Sequence, residues 1–375
     1  MTLTVKRFST AVLAIFLVSM FFPSHTYAEI IPFDSPRWVI PQGAAQVEEY
    51  LGQKGLFLFG GIAYLKDVDF TDGIIEFDVA FSEKRGFHGG VFRMQDDMNF
   101  EEFYLRSHQS GNPDALQYSP VFNGMSAWQL YHGDGFSGVA NFLFDKWMHI
   151  KLIVSGSSAE LYIDNNDRPV LFMSDLKREA KPGKVGIKTL RFSPGHYANF
   201  SVTPMDNPPL KNKEKSPEKT AAGTVTAWNI SGAFPENTLK DKTVLTDADK
   251  NHSGWEKLES ETSGLVNISR VAKLEQPNNT VFAKIEIHSG TQQEKILRFG
   301  FSDRVRVFLN GRLLYMGMNN YRSRDYRFLG TIGYFDALVL PLEKGRNELL
   351  LAVSEDFGGW GMKCRFENTE GITIN

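Results

Sequence analysis

The chain has 375 residues, with 41 Lys and Arg against 44 Asp and Glu, and a net charge of -3 at pH 7. This balance argues against a nucleic-acid-binding protein, which usually carries a basic patch or stripe. The length is sufficient for two domains. Hydrophobic residues make up 42% of the chain, and its single cysteine, Cys364, excludes an internal disulfide, so we expect apolar cores to supply the stability.

The N-terminal residues have the pattern of a secretory signal peptide. Lys6 and Arg7 form a positive region, and Ala11 to Phe22 form an apolar run too short to span a bilayer. A cleavage site is predicted after Ala28, so residues 1–28 are expected to be removed. We therefore expect a secreted or periplasmic protein with no membrane attachment; a retained membrane anchor is the alternative.

Short apolar runs of period two follow the leader, separated by turns rich in Gly, Asp and Asn, and no sustained helical period occurs. Gly73 to Phe81 places Phe77 on one face and Glu76 and Asp78 on the other. Glu101 to His108 alternates in the same way. Each strand thus has an apolar face and a face of mixed charged and aromatic groups, which is typical of a sheet with one side on a core.

Residues 205–223 interrupt this pattern with prolines and lysines and no aromatic residue, which indicates a linker. Strand-like runs resume near Thr224. Asn310-Gly311 stands between two alternating runs and predicts a type I′ hairpin, because both turn positions require positive φ. We predict an all-β protein with two β-sandwich or jelly-roll domains in tandem, 29–204 and 224–375, joined by the linker.

The stretch from Phe87 to His132 concentrates aromatic, Arg, His and carboxylate side chains at strand spacing. Aromatic faces can stack on sugar rings, while Arg and carboxylate groups can hold hydroxyls. We expect one outer face of the first domain to carry Glu76, Asp78, Arg93, Glu102, Tyr104 and Arg106. The predicted ligand-binding residues are Arg93, Glu102, Tyr104, Arg106, His108, Tyr118 and Trp128 in the first domain and Tyr321, Arg324, Asp325 and Trp360 in the second.

Several runs resemble known carbohydrate-active folds. They are Gly-Ile-Ile-Glu-Phe-Asp-Val from Gly73, Gly-Val-Phe-Arg from Gly90, Phe-Tyr-Leu-Arg from Phe103, and Glu-Leu-Tyr-Ile-Asp from Glu160. The first domain resembles the concanavalin A-like lectin/glucanase superfamily, including its laminin-G-like members and the domain of secreted 3-keto-disaccharide hydrolases. The second domain resembles the galactose-binding-like jelly rolls appended to glycosidases, through Val305–Gly311 and Gly345–Val353. This resemblance implies two β-sandwiches and a carbohydrate ligand.

The resemblance also bears on catalysis. Laminarinase-type glucanases carry Glu-x-Asp-x-x-Glu on one strand; here Glu76 and Asp78 match the first two positions, and Phe81 stands at the third. A carbohydrate-binding protein with an accessory second domain is therefore favoured. A glycoside hydrolase or lyase using Glu76, Asp78 or Glu102 is the alternative, and a structural adhesion module is a third hypothesis. We expect a monomer without a cofactor or metal, and the sequence leaves a structural calcium ion open.

Overall fold

The computed structural model describes residues 29–375 except residues 165, 214–218, 252 and 326. The predicted signal peptide, residues 1–28, lies outside the described residues. Almost all regular structure in the described part is antiparallel β-strand, which confirms the predicted all-β sandwich class. No helix there is long and apolar enough to cross a membrane.

The N-terminal half of the described chain forms a first sandwich, with one 3-10 helix, Ser107–Gln109. Its strands are β1 (Trp38–Val39), β2 (Ala45–Tyr50), β3 (Gln53–Leu58), β4 (Gly61–Leu65), β5 (Gly73–Ala80), β6 (His88–Asp96), β7 (Asn99–Leu105), β8 (Leu116–Phe122), β9 (Met125–Ser126), β10 (Ser137–Gly138), β11 (Met148–Ser155), β12 (Ser158–Ile163), β13 (Leu171–Met173), β14 (Lys184–Thr189) and β15 (Gly195–Pro204).

Two sheets make this first sandwich. Sheet I has the strand order β1-β4-β14-β6-β7-β8-β10, with β9 paired to β8, and sheet II has the order β13-β12-β11-β5-β15-β3-β2. The rings of Phe77 on sheet II and Phe103 on sheet I stack with centroids 6.3 Å apart. Phe92 joins the same core, so all three phenylalanines pack between the two sheets.

The second sandwich has its own core. Its helices are α1 (Asp247–Lys250) and the 3-10 helices Glu236–Leu239 and Ile268–Arg270. Its strands are β16 (Ala227–Ile230), β17 (Phe234–Pro235), β18 (Glu256–Glu259), β19 (Leu265–Asn267), β20 (Asn278–Ser289), β21 (Gln293–Ser302), β22 (Arg304–Leu309), β23 (Arg312–Met318), β24 (Asp336–Leu342), β25 (Gly345–Ser354), β26 (Gly361–Phe366) and β27 (Ile372–Ile374).

Sheet III of the second sandwich has the order β18-β16-β20-β25-β22-β23, with β17 and β27 paired to β20; sheet IV has the order β19-β26-β21-β24. Between β22 and β23, Asn310 and Gly311 have φ values of 51° and 78°. The predicted hairpin is thus confirmed, since both turn positions lie in the left-handed region. Cys364 is buried in the core between these sheets.

Gln129 connects the two sandwiches. Its backbone N–H donates to the Gly358 carbonyl at 2.8 Å, and its carbonyl accepts from the Ile332 N–H at 3.0 Å. Its side-chain Nε2 donates to the Leu329 carbonyl at 2.8 Å. A Cβ at Gly330 or Gly358, both at positive φ, would stand 2.1 or 2.2 Å from the Gln129 amide. Glycine at these positions therefore lets the second sandwich close over the buried amide.

An apolar cluster and an ion pair extend this interface. Leu130 and Tyr131 of the first sandwich pack with Leu265 and Ile332 of the second. Beside them, Lys177 Nζ lies 2.7 Å from Glu261 Oε2, and Glu261 Oε1 accepts a hydrogen bond from the Tyr131 hydroxyl. The two sandwiches are therefore joined by a packed, hydrogen-bonded contact as well as by the chain between β15 and β16.

Candidate functional site

A cavity of about 630 Å³ opens on the outer face of sheet I, where the second sandwich covers part of it. Strands β6, β7, β9 and β14 supply its floor. Because side chains alternate along a strand, Glu102 and Tyr104 of β7 point into it while Leu105 packs in the core. This large cavity is lined by Arg85, Phe87, Gly89, Glu102, Phe103, Tyr104, Arg106, His108, Gln109, Asp114, Ser126, Trp128, Lys188, Thr189, Leu190, Phe192, Tyr321, Arg322, Leu329 and Phe357.

Glu102 is the polar centre of the cavity floor. Its Oε1 accepts from Ser126 Oγ at 2.6 Å, and its Oε2 accepts from Lys188 Nζ. The carboxylate is almost fully buried, so both partners hold it in one orientation. Glu102 thus presents a fixed acidic group beside a cation and a hydroxyl.

Arg106 forms a second polar group at the floor. Its Nη1 donates to the Asp114 carbonyl at 2.7 Å, and its Nη2 donates to Gln117 Oε1 and, at 3.3 Å, to the Tyr104 hydroxyl. The residue is only 6% exposed, so most of its side chain is buried beneath the cavity surface. Gln117 in turn donates to the carbonyls of Trp128 and Tyr131. Arg106 therefore braces the cavity wall as well as lining it.

The histidine and phenol of the site are uncharged near neutral pH. Burial lowers the pKa of His108, and the nearby Arg85 and Arg106 lower it further. Burial also raises the pKa of Tyr104 well above its usual range. The Nδ1 of His108 is buried without a hydrogen-bond partner among the described residues. The Tyr104 hydroxyl donates to Gln117 Oε1 at 3.3 Å, so it belongs to the hydrogen-bond network of the floor, and neither group adds charge to the cavity near neutral pH.

Aromatic side chains from both sandwiches form the cavity walls. On one side Phe87 lies 5.7 Å from Tyr104 and 6.0 Å from Phe192, measured between ring centroids. On the other side Phe357 of the second sandwich lies 6.1 Å from the Trp128 ring. Phe192 and Phe357 are 59% and 52% exposed, which is unusual for phenylalanine. Exposed rings beside fixed polar groups are typical of a ligand site.

A second cavity, of about 490 Å³, continues along the outer face of sheet I. It shares Ser126, Lys188, Thr189 and Leu190 with the large cavity. Phe100 and Val121 lie at its base, and the Lys188 ammonium lies 4.8 Å from the Phe100 ring centroid. The two cavities thus meet at Lys188.

The large cavity brings together six of the predicted residues: Glu102, Tyr104, Arg106, His108, Trp128 and Tyr321. Three others are internal. Arg93 sits at a bulge with φ 48° and turns inward to Asp72, at 2.8 Å. Tyr118 is fully buried and donates to Glu101 at 2.6 Å. Trp360 is fully buried and donates to the Val353 carbonyl at 3.0 Å. The sequence-based placement of these three at a binding surface is wrong.

Glu76 and Asp78 lie on β5 of sheet II, so they do not share a face with Glu102. Asp78 accepts from His149 Nδ1 at 2.8 Å and from Asn199 Nδ2 at 2.7 Å. Glu76 lies 3.5 Å from His149 Nε2. These two acceptors raise the pKa of His149 to about 9. The predicted common face is therefore wrong, and these carboxylates form an ion-paired cluster on the opposite sheet.

Two candidates of the second sandwich stay outside the cavity lining. Arg324 donates to Asp336 at 2.7 Å, and Asp325 accepts from Arg327 at 3.0 Å. Sequence reasoning missed Arg85, Phe87, Asp114, Ser126, Lys188, Phe192, Arg322 and Phe357 as site residues. Period-two alternation in β14 would have placed Lys188 on the outer face. No local pattern distinguishes the exposed Phe357 from the nearby buried Trp360.

No family model and no curated protein matches this chain. Among solved structures, the carbohydrate binding module CBM66 from Bacillus subtilis aligns over 44% of this chain and 94% of its own, with 16% identity and a TM-score of 0.35. A protein of unknown function with a galectin-like fold from Bacillus subtilis aligns over 44% and 88%, with 16% identity and a TM-score of 0.33. A beta-glucanase from Bacillus licheniformis aligns over 48% and 98%, with 13% identity and a TM-score of 0.33. Similarity at this level does not assign an activity.

Proposed function

We propose that the protein binds a carbohydrate in the large cavity, with the second sandwich completing the site. The observation that carries this proposal is the combination of a polar floor, centred on Glu102, with exposed aromatic walls. Fixed charged groups suit sugar hydroxyls, and aromatic rings suit the apolar faces of sugar rings. Trp128 and Phe357 stand on one wall and Phe87 on the other. Such a site recognises a molecule with alternating polar and apolar surfaces.

The contribution of both sandwiches supports a single composite site. Tyr321, Leu329 and Phe357 reach the cavity from the second sandwich. Gln129 holds the loops that carry them, through hydrogen bonds to Leu329 and Gly358. A wall held in place before binding loses little conformational freedom when the ligand enters, which favours affinity.

Trp128→Ala tests this proposal. An aromatic contact is worth about 0.5–1.5 kcal/mol, so the dissociation constant should rise up to about tenfold. A glycan array with the wild-type protein would first identify bound saccharides, and calorimetry would then compare the variants. Trp147→Ala is the matched control, because Trp147 is half-buried beside Tyr50 on the other sheet. Equal affinities for wild type and Trp128→Ala, or no saccharide bound at all, would contradict the proposal.

Hydrolysis of a glycan is the second candidate function. Glu102 and Asp114 both line the large cavity, and glycosidases commonly use two carboxyl groups. If the protein is an enzyme, prolonged incubation should cleave the bound saccharide, and Glu102→Gln should abolish cleavage. Glu76→Gln is the control, since Glu76 lies on sheet II. Intact substrate after incubation would leave binding as the function.

We also propose that the protein acts outside the cytoplasm, on the evidence of the signal-peptide pattern in residues 1–28. Intact-mass measurement on protein recovered from culture medium or periplasm should give a chain beginning at Glu29. Retention of residues 1–28 in that material would contradict this part of the proposal.

A further inference from the structure

The large cavity carries more positive than negative charge. Its lining includes four basic side chains, Arg85, Arg106, Lys188 and Arg322, against two carboxylates, Glu102 and Asp114. This leaves an excess of two positive charges, four minus two. His108 adds none at neutral pH, because burial and the neighbouring arginines lower its pKa.

Two of the cations are matched within the cavity. Lys188 donates to the Glu102 carboxylate. The Arg106 guanidinium lies 3.9 Å from a carboxylate oxygen of Asp114 and also donates to the Asp114 carbonyl. The charges of the cavity floor therefore balance internally, and the excess belongs to Arg85 and Arg322.

Arg85 and Arg322 have no ion-pair partner in the part of the chain that the structure describes. Each guanidinium instead rests near an aromatic ring of the cavity lining. The Arg85 Cζ lies 5.6 Å from the Phe87 centroid, and the Arg322 Cζ lies 4.9 Å from the Tyr321 centroid. Contact with the ring face positions the guanidinium and leaves its N–H groups free to donate to a ligand.

The two arginines come from different parts of the fold. Arg85 follows β5 of the first sandwich, and Arg322 lies between β23 and β24 of the second. Both side chains are exposed, yet both line one cavity. A ligand that enters between the sandwiches contacts both cations. A ligand without negative charge would remove part of the water around these guanidinium groups and provide no opposite charge in its place, which is unfavourable.

We infer that the ligand of the large cavity is an anionic saccharide, whose carboxylate or sulfate group binds Arg85 and Arg322. This inference rests on the proposed carbohydrate-binding function and specifies its ligand class. A guanidinium presents paired donors that match the oxygens of a carboxylate or sulfate. Arg85 and Arg322 select the charged saccharide, while Glu102 and Trp128 hold its sugar ring.

The test compares three probes by calorimetry: a hexauronate, the same oligosaccharide with its carboxylates reduced to alcohols, and a sulfated neutral hexasaccharide. The hexauronate and the sulfated probe distinguish the two sources of the anionic group. The variants are Arg85→Gln and Arg322→Gln. Arg168→Gln is the matched control, because Arg168 is exposed, lies outside the cavity lining and removes the same charge.

We expect at least one anionic probe to bind more tightly than the reduced oligosaccharide, and its affinity to fall with added salt. Arg85→Gln and Arg322→Gln should each raise its dissociation constant by about fivefold to tenfold, the range expected for a partly exposed charge-assisted hydrogen bond. Arg168→Gln should change it by less than about twofold. The reduced oligosaccharide should bind all variants alike.

The experiment distinguishes failure of the charge inference from failure of the proposed carbohydrate-binding function. Equal affinity for the reduced and anionic probes, with no loss in Arg85→Gln and Arg322→Gln, overturns the charge inference and leaves the carbohydrate-binding function standing. Failure of any saccharide to bind, on the array or in solution, overturns both. Loss of affinity for the anionic probe in Arg168→Gln as large as in Arg322→Gln would also overturn the inference, because the effect would then be one of net charge.

Discussion

Gln129→Met is the sharpest test of how the second sandwich is held against the first. The side chain of Gln129 is fully buried at the interface. Its Nε2 donates to the Leu329 carbonyl at 2.8 Å, and its Oε1 accepts from Ser302 Oγ at 3.3 Å. Methionine has similar length and volume but can make neither bond, while the two backbone hydrogen bonds of this residue persist.

The magnitude follows from the two groups left unpaired. A buried polar group without a partner costs about 1–3 kcal/mol. Leu329 as a residue is only half-buried, and the Ser302 bond is long, so the lower part of this range applies to each. We therefore expect Gln129→Met to lower the free energy of unfolding by about 2–3 kcal/mol. The affinity for saccharide should also fall, because the Leu329 segment lines the large cavity.

Urea unfolding measures the first effect and calorimetry the second. Gln46→Met is the matched control, since Gln46 is exposed on β2, and it should change stability by less than about 0.5 kcal/mol. If Gln129→Met is as stable as Gln46→Met and binds saccharide as tightly, the interface described above does not support the site, and the reasoning is refuted.

Three further predictions concern the floor, the opposite sheet and the connection between sandwiches. Arg106→Met should abolish saccharide binding. It should also lower the free energy of unfolding, measured in urea, by about 2–4 kcal/mol, because the Asp114 carbonyl and Gln117 Oε1 lose their hydrogen-bond donor. Unchanged stability would contradict the hydrogen-bond network described for Arg106. Asp78 and Glu76 raise the pKa of His149 to about 9. The contribution of protonated His149 to the free energy of unfolding is therefore fully present below about pH 6.5 and is lost as the pH rises through 9. Because the His149 side chain is 39% exposed, solvent screening limits this contribution to about 1 kcal/mol. His149→Gln should therefore remove the corresponding pH dependence of the urea midpoint between pH 6 and 10. Identical pH profiles for wild type and variant would refute this prediction. Trypsin should cut first within residues 205–223, and the two fragments should still co-elute in gel filtration through their packed interface; first cuts between 73 and 202, or separate elution, would argue against this.

The period-two alternation of apolar and polar residues was sufficient to predict which side chains of a regular strand face the core. Phe77 and Phe103 face the core and Glu102 and Tyr104 face outward, as period two requires. The Asn310-Gly311 turn was equally readable, because its backbone conformation depends on those two residues alone. Signals of this kind involve neighbours in sequence, so a single sequence contains them in full.

Alternation does not say which sheet a strand joins. Glu76 and Asp78 do face away from the core, as predicted, but β5 pairs with β11 and β15 in sheet II. Their outer face is thus opposite that of Glu102. Arg93 shows a second limit, since the bulge in β6 breaks the alternation and turns its side chain inward. Strand partners and bulges depend on residues far away in the chain.

The composite cavity depends most strongly on tertiary structure. Trp128 and Phe357 lie more than 200 positions apart in the sequence, yet their rings meet at 6.1 Å. Their contact follows from the docking of two complete sandwiches around Gln129. The amino-acid sequence therefore determined the all-β class, the core-facing side of the regular strands and the mixture of aromatic and charged residues available for an outer surface. Which residues share that surface was decided by packing between distant segments, because burial energy depends on the whole set of contacts rather than on any one run of residues.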